Sequence, residues 1–431
     1  MSGAAAAWIL FLHEFGPAFT QPSAALFVKL VTAWVLCPGR HTVTRMIGVM
    51  APKARHPHDA FHRFLRADRW DMEDLWRLLS LGLAASLDPE GTLQFDLDDT
   101  LFHKSGRKVE GAGVFRDAVR STSRRVVHAL GLNLVVLTLR IAPPWGGEPL
   151  GLPVNMRLYR KGGPSHLDLA EEMIRQIAGW FPSRTFRLAC DGAYSSLAGR
   201  DLPRTQVTSR MRRDAALYDP PPPNRKGKRG RPAKKGPRLR TPLGMASALI
   251  QGWVRVTLMV RGKPEPRLLF SRPVLWYKTC PGRLVLLVIV RDPMGKQRDD
   301  FFFTTDLLAS AAAVVEEYAG RWSIEDTFRN VKQFLGGEDP QNWKGQGPER
   351  AAALSLWISS AVWNWYIQEQ GTSRTWPRLP WYPGKQTPSF LDALASLRRH
   401  LWRYTIFSGC ASPPHLLKKE GLLIDILARV A

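Results

Sequence analysis

The stretch from Leu93 to Asp191 constrains the fold most. Leu93-Gln-Phe-Asp-Leu, Val126 to Ile141 and Leu152 to Tyr159 are short runs rich in Val and Leu, the last alternating at Val154, Met156 and Leu158. Such runs predict three strands. Leu167 to Phe181 then places its apolar residues at helical spacing. Phe186-Arg-Leu-Ala-Cys predicts a fourth strand that ends at Asp191. Strand, strand, strand, helix, strand predicts an α/β unit built on one sheet.

The flanks read differently. Residues 1–90 predict helices. In Asp59-Ala-Phe-His-Arg-Phe-Leu-Arg the apolar and basic residues fall on different helix faces, Asp71 to Leu79 continues the pattern, and Gly39-Arg-His-Thr-Val-Thr-Arg opens a short helix. Two short helices with a basic second member predict a helix-turn-helix-like DNA-binding domain. Residues 204–299 interrupt the α/β order. Pro220 to Pro223 has no capacity for strand or helix, and residues 224–240 hold nine Lys/Arg and no acid, which predicts a solvated loop. Strand-like runs follow at Trp253 to Val260, Arg267 to Tyr277 and Leu284 to Val290, predicting a β-rich insertion. Phe301-Phe-Phe-Thr-Thr resumes the main sheet, one long helix is predicted from about Ala309 to Leu335, and residues 369–431 read as a helical C-terminal region. The catalytic unit is then 91–203 together with 300–368.

The chain carries 61 Lys+Arg against 37 Asp+Glu, a formal charge of +24. A field of that sign concentrates polyanions, of which nucleic acid is the first expectation. Cys37, Cys190, Cys280 and Cys410 are too scattered for a zinc pattern and too few for a disulfide framework. Ala4 to Leu12 lacks a basic leader, and Ala24 to Cys37 is short and contains Lys29, so neither predicts a membrane span. A reduced, cytoplasmic, nucleoid-associated protein is expected.

Three groups of acids stand out. Phe95-Asp-Leu-Asp-Asp-Thr-Leu-Phe102 clusters three acids at a strand exit, and Asp191 closes an apolar strand before Gly192. Acids are depleted within strands, although Asp is also a common turn residue. On the long helix, Tyr318, Arg321, Glu325 and Lys332 fall within an arc of roughly 60°, with Arg329 beside them. Ile324, Phe328, Val331 and Leu335 form a separate apolar stripe. One face packs, and the other presents an acid among cations. Taken alone, Arg321 and Glu325 read as a surface ion pair one helical turn apart.

Together these sites resemble the DDE transposases of bacterial insertion sequences. Tyr318-x2-Arg321-x3-Glu325-x6-Lys332 is similar to that family's Tyr-Arg-Glu-Lys signature, Asp98-Asp99-Thr100 to its apolar-Asp-Asp-Thr segment, and Cys190-Asp-Gly-Ala-Tyr to its second acidic motif. The resemblance spans about residues 90–365. It implies an RNase H-like catalytic domain with a β-rich insertion between the second Asp and the Glu. It implies Asp99, Asp191 and Glu325 as catalytic ligands of two Mg²⁺ ions, with Mn²⁺ as a substitute. Tyr318, Arg321, Arg329 and Lys332 are then expected on the DNA backbone, and Trp253 and Trp276 are the candidates for stacking on a flipped base, although a core position is the simpler reading of a Trp. The implied reaction is cut-and-paste transposition: cleavage at the terminal inverted repeats of double-stranded DNA and strand transfer to target DNA, by a homodimer.

Two other readings compete. A transposase turned noncatalytic DNA-binding protein would keep the basic surface. Phe95-Asp-Leu-Asp-Asp-Thr-Leu101 also resembles the first motif of haloacid dehalogenase-type phosphatases, with Asp96 as nucleophile and Asp98 as acid/base. About ninety residues precede that motif here, the family's Gly-Asp-x3-Asp is missing, and the charge suits no small-molecule phosphatase. Within the basic tract, Lys228-Arg229-Gly-Arg231-Pro232 resembles an AT-hook core, with Lys234 and Lys235 as further phosphate contacts. The cluster His56, His58 and His62 has no cysteine or further ligand beside it, so zinc is not expected there.

Overall fold

A computed structural model describes the chain except residues 1–2, 51–54, 68, 123, 223–232, 261, 371–375, 377–379, 381, 408–413 and 431. The elements run α1 (Gly3–His13), α2 (Gln21–Leu36), α3 (Val43–Gly48), α4 (His58–Arg66) and α5 (Met72–Leu87), then β1 (Leu93–His103), β2 (Gly113–Arg116), β3 (His128–Ile141), β4 (Leu150–Tyr159), α6 (His166–Trp180) and β5 (Phe186–Cys190). A 3-10 stretch, Gly192–Gly199, leads to β6 (Thr205–Arg210), α7 (Pro242–Ala248), β7 (Val254–Val260), β8 (Lys263–Val274), β9 (Val285–Arg291) and β10 (Asp300–Thr304). Helices α8 (Ala311–Gly320), α9 (Trp322–Phe334), α10 (Gly347–Gln370), α11 (Phe390–Phe407) and α12 (Pro414–Arg429) close the chain. It is a mixed α/β molecule with a large mixed sheet and helices at both termini.

The four strands and one helix expected between Leu93 and Asp191 all form. β1 pairs antiparallel with β3, β3 with β4, and β1 and β5 run parallel, as do β5 and β6. Antiparallel neighbours need only short connections, whereas the parallel step from β4 to β5 requires a crossover, and α6 supplies it. Its N-terminus is fixed by a reciprocal capping box between Ser165 and Asp168.

The insertion strands do not make a separate sheet. β10 pairs with both β6 and β9, and β8 and β7 continue outward, so the described strands form one ten-stranded sheet. β6 lies within the sequence range expected to be insertion, yet it is an interior strand between β5 and β10.

The long helix predicted over 309–335 is two helices. Arg321 separates α8 from α9, with Arg321 N–H reaching Tyr318 O and Ile324 N–H reaching Arg321 O, three-residue steps that tighten the backbone. Two glycines let this corner sit close to the sheet. A Cβ on Gly320 would lie 2.7 Å from Arg140 Nη1, and one on Gly151 2.9 Å from Ser323 Oγ.

The N- and C-terminal helices share one hydrophobic core with the sheet. Trp34 of α2 donates from Nε1 to Leu335 O at 2.8 Å, satisfying a carbonyl at the end of α9. Arg398 of α11, fully buried, donates to Val35 O at 2.6 Å, Cys37 O at 3.2 Å and Val430 O at 2.7 Å, so it caps the end of α2. Burial lowers its pKa to about 10. The basic helix α4 forms as expected, with Phe61, Phe64 and Leu65 buried and Arg63 and Arg66 exposed. Residues 49–57 separate it from α3, a longer link than the turn of about three or four residues in a helix-turn-helix.

Candidate active site

β1 sorts its acids by strand alternation. Asp96 and Asp98 point to the side covered by α9, where Ser323 and Arg321 meet them. Asp99 lies on the other side, where Tyr194 Oη donates to its Oδ1 at 3.1 Å.

Asp96 is completely buried and fully engaged. It forms an ion pair with Arg140 of β3, through Nε at 3.1 Å and through Nη2, and accepts from Ser323 Oγ at 3.1 Å. It is sealed beneath α9, so it is not placed to act as a nucleophile.

Asp98 sits two residues on, half-buried on the same face of the strand. Arg321 Nη1 donates to Asp98 Oδ2 at 2.5 Å, and Arg321 Nη2 to Glu325 Oε1 at 2.9 Å. The β1–β5 ladder ends at Leu97 and Cys190, so Asp98 and Asp191 each follow the last residue of that ladder on their strand. Burial raises the Asp98 carboxyl to about 7 against the pull of Arg321, and the charges of Asp99 and Asp191 add to the rise. Asp191 opens the 3-10 stretch, and its carbonyl accepts from Tyr194 N–H at 2.9 Å and Ser209 Oγ at 3.1 Å. Arg321 thus joins Asp98 to Glu325, and Asp191 lies near enough for its charge to act on Asp98. The structure leaves Asp99, the residue expected from the motif, facing Tyr194. The two-residue spacing of Asp96 and Asp98 assigns both to one strand face, opposite Asp99.

Arg321 is only 6% exposed, and its guanidinium carbon lies 5.4 Å from the Tyr318 ring, which rests on Phe302 at 4.8 Å. Lys332 is turned inward. Its Nζ donates to Leu101 O at 2.8 Å beside the Phe102 ring, and burial lowers its pKa. Arg329 is exposed and pairs with Asp326 at 2.8 Å. The face read from the helical wheel is therefore split: Tyr318 and Arg321 line the site, Lys332 ties α9 to β1, and Arg329 meets solvent.

Neither stacking candidate is open. Trp276 is 5% exposed and packs edge-on against Phe303 at 5.3 Å. Trp253 is half-buried, donates to Leu249 O at 3.3 Å and carries the Arg291 guanidinium 4.3 Å over its ring. Lys234 is exposed, and Lys235 Nζ lies 4.2 Å from the Tyr218 ring. Lys228, Arg229 and Arg231 fall outside the described residues. Among the described residues, no three His, Cys, Asp or Glu side chains are gathered closely enough to hold one ion, and Arg321 occupies the space between Asp98 and Glu325. No helix among the described residues is long and apolar enough to cross a membrane.

No curated protein matches the chain. A family profile described as DDE superfamily endonuclease matches residues 14–258, more than half of the chain. The match takes in α2 to α5, β1 with Asp98, β5 with Asp191 just after it, and most of β7, and it stops before the helix of Glu325. On that match the chain belongs to the DDE superfamily endonuclease family.

Proposed function

We propose that the protein is a transposase that cuts DNA at the ends of an insertion sequence and joins them to target DNA, with Asp98, Asp191 and Glu325 as its working acids. The single observation that carries this reading is the Arg321 bridge, which brings a strand acid and a helix acid far apart in sequence to one point beside Asp191. The strand order β4-β3-β1-β5-β6, three antiparallel strands followed by two parallel ones, supports an RNase H-like core.

With Arg321 moved from between the two acids it links, Asp98, Asp191 and Glu325 would hold Mg²⁺, or Mn²⁺ in its place. Carboxylate oxygens are the right donors for a hard cation. Arg321 supplies the test of fit: a positive group already links Asp98 to Glu325, where the acids need one. Bound there, divalent cations supply the charge that activates the attacking oxygen and steadies the leaving one.

The chain's own part is positioning. Asp96, Arg140 and Ser323 lock β1, β3 and α9 together, so the acids above them are held by rigid elements. Arg321 has the planar fork that suits a phosphate, and Tyr318 supports it from beneath. In the first step water attacks the phosphodiester at the element's end, the P–O bond to the leaving strand breaks and a 3′-OH is released. In the second, that hydroxyl attacks a phosphodiester of target DNA and expels a new 3′-OH. The exposed basic residues, Lys234 among them, serve DNA retention. Synapsis of two ends calls for two copies of the chain.

The test is a supercoiled plasmid carrying the element's own ends, incubated with protein and Mg²⁺. Cleavage at the ends by wild type and none by Glu325→Gln is expected. Binding without cleavage by both would contradict the reading and favour a noncatalytic DNA-binding protein.

A further inference from the structure

Away from the acids, α4 presents two histidines one turn apart. His58 Nε2 and His62 Nε2 face each other at 3.1 Å, and Thr44 Oγ1 of α3 lies 3.2 Å from His58 Nε2. We propose that His58 and His62 form a binding site for a borderline transition-metal ion such as Zn²⁺, with the Asn342 amide behind it as the group that sets the ring tautomer.

Two observations converge. The first is the spacing of the nitrogens. With metal–nitrogen bonds of about 2.0–2.1 Å, nitrogens this far apart subtend roughly 100° at a shared ion, near the tetrahedral angle. The second is Asn342, which is 5% exposed. Its Nδ2 lies 3.1 Å from His62 Nδ1, while its Oδ1 is buried without a hydrogen-bond partner. The two ends of an amide exchange by a half-turn of the group. That turn places Oδ1 against His62 Nδ1 and Nδ2 in the place Oδ1 now holds. His62 then donates from Nδ1 and keeps a lone pair on Nε2, the arrangement a metal-binding imidazole needs.

The charges nearby permit a cation. Asp59 neighbours the pair and is matched by Arg63 at 3.1 Å, and Lys29 is occupied at 2.7 Å by His56 Nε2. His56 is thus turned away, which leaves His58 and His62 as the nitrogen ligands and water to complete the shell. His58 is exposed, so an ion can enter from solvent. Bound there, it would clamp α4, with Thr44 of α3 alongside, and through Asn342 hold the segment after α9. The site uses none of the proposed catalytic acids and does not depend on the transposase reading.

The experiment is calorimetric titration of chelator-treated full-length protein with Zn²⁺, in wild type and on a Glu325→Gln background, with circular dichroism confirming the fold of each variant. One Zn²⁺ per chain is expected at this site in both. His58→Gln and His62→Gln should abolish that binding. Asn342→Ala should weaken it about 10- to 100-fold, the usual cost of losing a group that orients a ligand, whereas Asn342→Asp, which keeps an acceptor, should retain it. No Zn²⁺ uptake by wild type, or uptake unchanged in both histidine variants, would overturn the proposal and leave a hydrogen-bonded histidine pair.

Discussion

Arg321 Nη1 donates to Asp98 Oδ2 at 2.5 Å, and the same guanidinium holds Glu325 through its other arm at 2.9 Å. One guanidinium therefore bridges two acids on different elements, and at Asp98 it opposes the burial that raises the carboxyl. Removing it leaves both acids without that counter-charge.

Arg321→Ala should destabilise the protein by about 3–5 kcal/mol, the usual cost of breaking a buried ion pair from one side. Urea denaturation checks this. Added Mg²⁺ should recover stability in the variant more than in wild type, because ligand binding to the folded state is linked to its stability. Equal stability of the two proteins without metal would show that the bridge contributes nothing.

The Asp96–Arg140 pair lies deeper still and carries no proposed chemistry. Arg140→Ala should cost about 3–5 kcal/mol, and Asp96→Leu combined with Arg140→Met should recover much of it, since a packed apolar pair can replace a buried ionic one. Thermal or chemical denaturation of the three proteins decides the point. If the double variant is as unstable as the single, the pair does more than fill space.

Trp276 is a core residue here. Trp276→Ala should lose about 3–5 kcal/mol of stability, while DNA affinity per folded molecule stays unchanged. A specific loss of affinity with stability intact would restore the base-stacking role.

His41 is buried with its Nδ1 3.8 Å from Asp339 Oδ2, and burial lowers its pKa, opposed by Asp339. In the unfolded chain it takes up a proton near pH 6.5, and in the folded chain only at lower pH. Stability should therefore be lost as pH falls below about 6.5, by up to about 1.4 kcal/mol per pH unit for one such proton. His62 and His400 are also lowered by burial and add to the same limb. His41→Gln should flatten the limb between pH 6.5 and the lower folded value. An unchanged slope in urea titrations across that range would exclude His41 as a source.

Much of this architecture is legible in the sequence because it is written in local patterns. The strands carrying Asp98 and Asp191 are short apolar runs, and the crossover helix α6 shows its period and its Ser165–Asp168 cap. The Tyr318-Arg321-Glu325 spacing is visible because helical residues at those separations share a face. What escaped depends on contacts distant in sequence. Whether Asp98 or Asp99 faces the helix is decided by which side of β1 α9 covers. The break at Arg321 arises because its side chain reaches Asp98 at a corner where Gly320 approaches Arg140. The role of α11 is carried by Arg398, two of whose partners are backbone carbonyls more than three hundred residues away. Nothing in the composition of β7 to β9 says that they extend the main sheet, because edge pairing is a property of the neighbour as well as the strand.

The most direct test of the central claim compares Asp98→Asn with Asp99→Asn in single-turnover cleavage of a duplex carrying the element's end, with Mg²⁺ and saturating protein. Loss of a group that stabilises charge at the reacting centre costs about 10²–10³-fold or more in rate. The predicted result is such a loss for Asp98→Asn, matched by Asp191→Asn and Glu325→Gln, with Asp99→Asn retaining most of the wild-type rate. A rate abolished by Asp99→Asn and kept by Asp98→Asn would contradict the assignment and return the site to the other face of the strand.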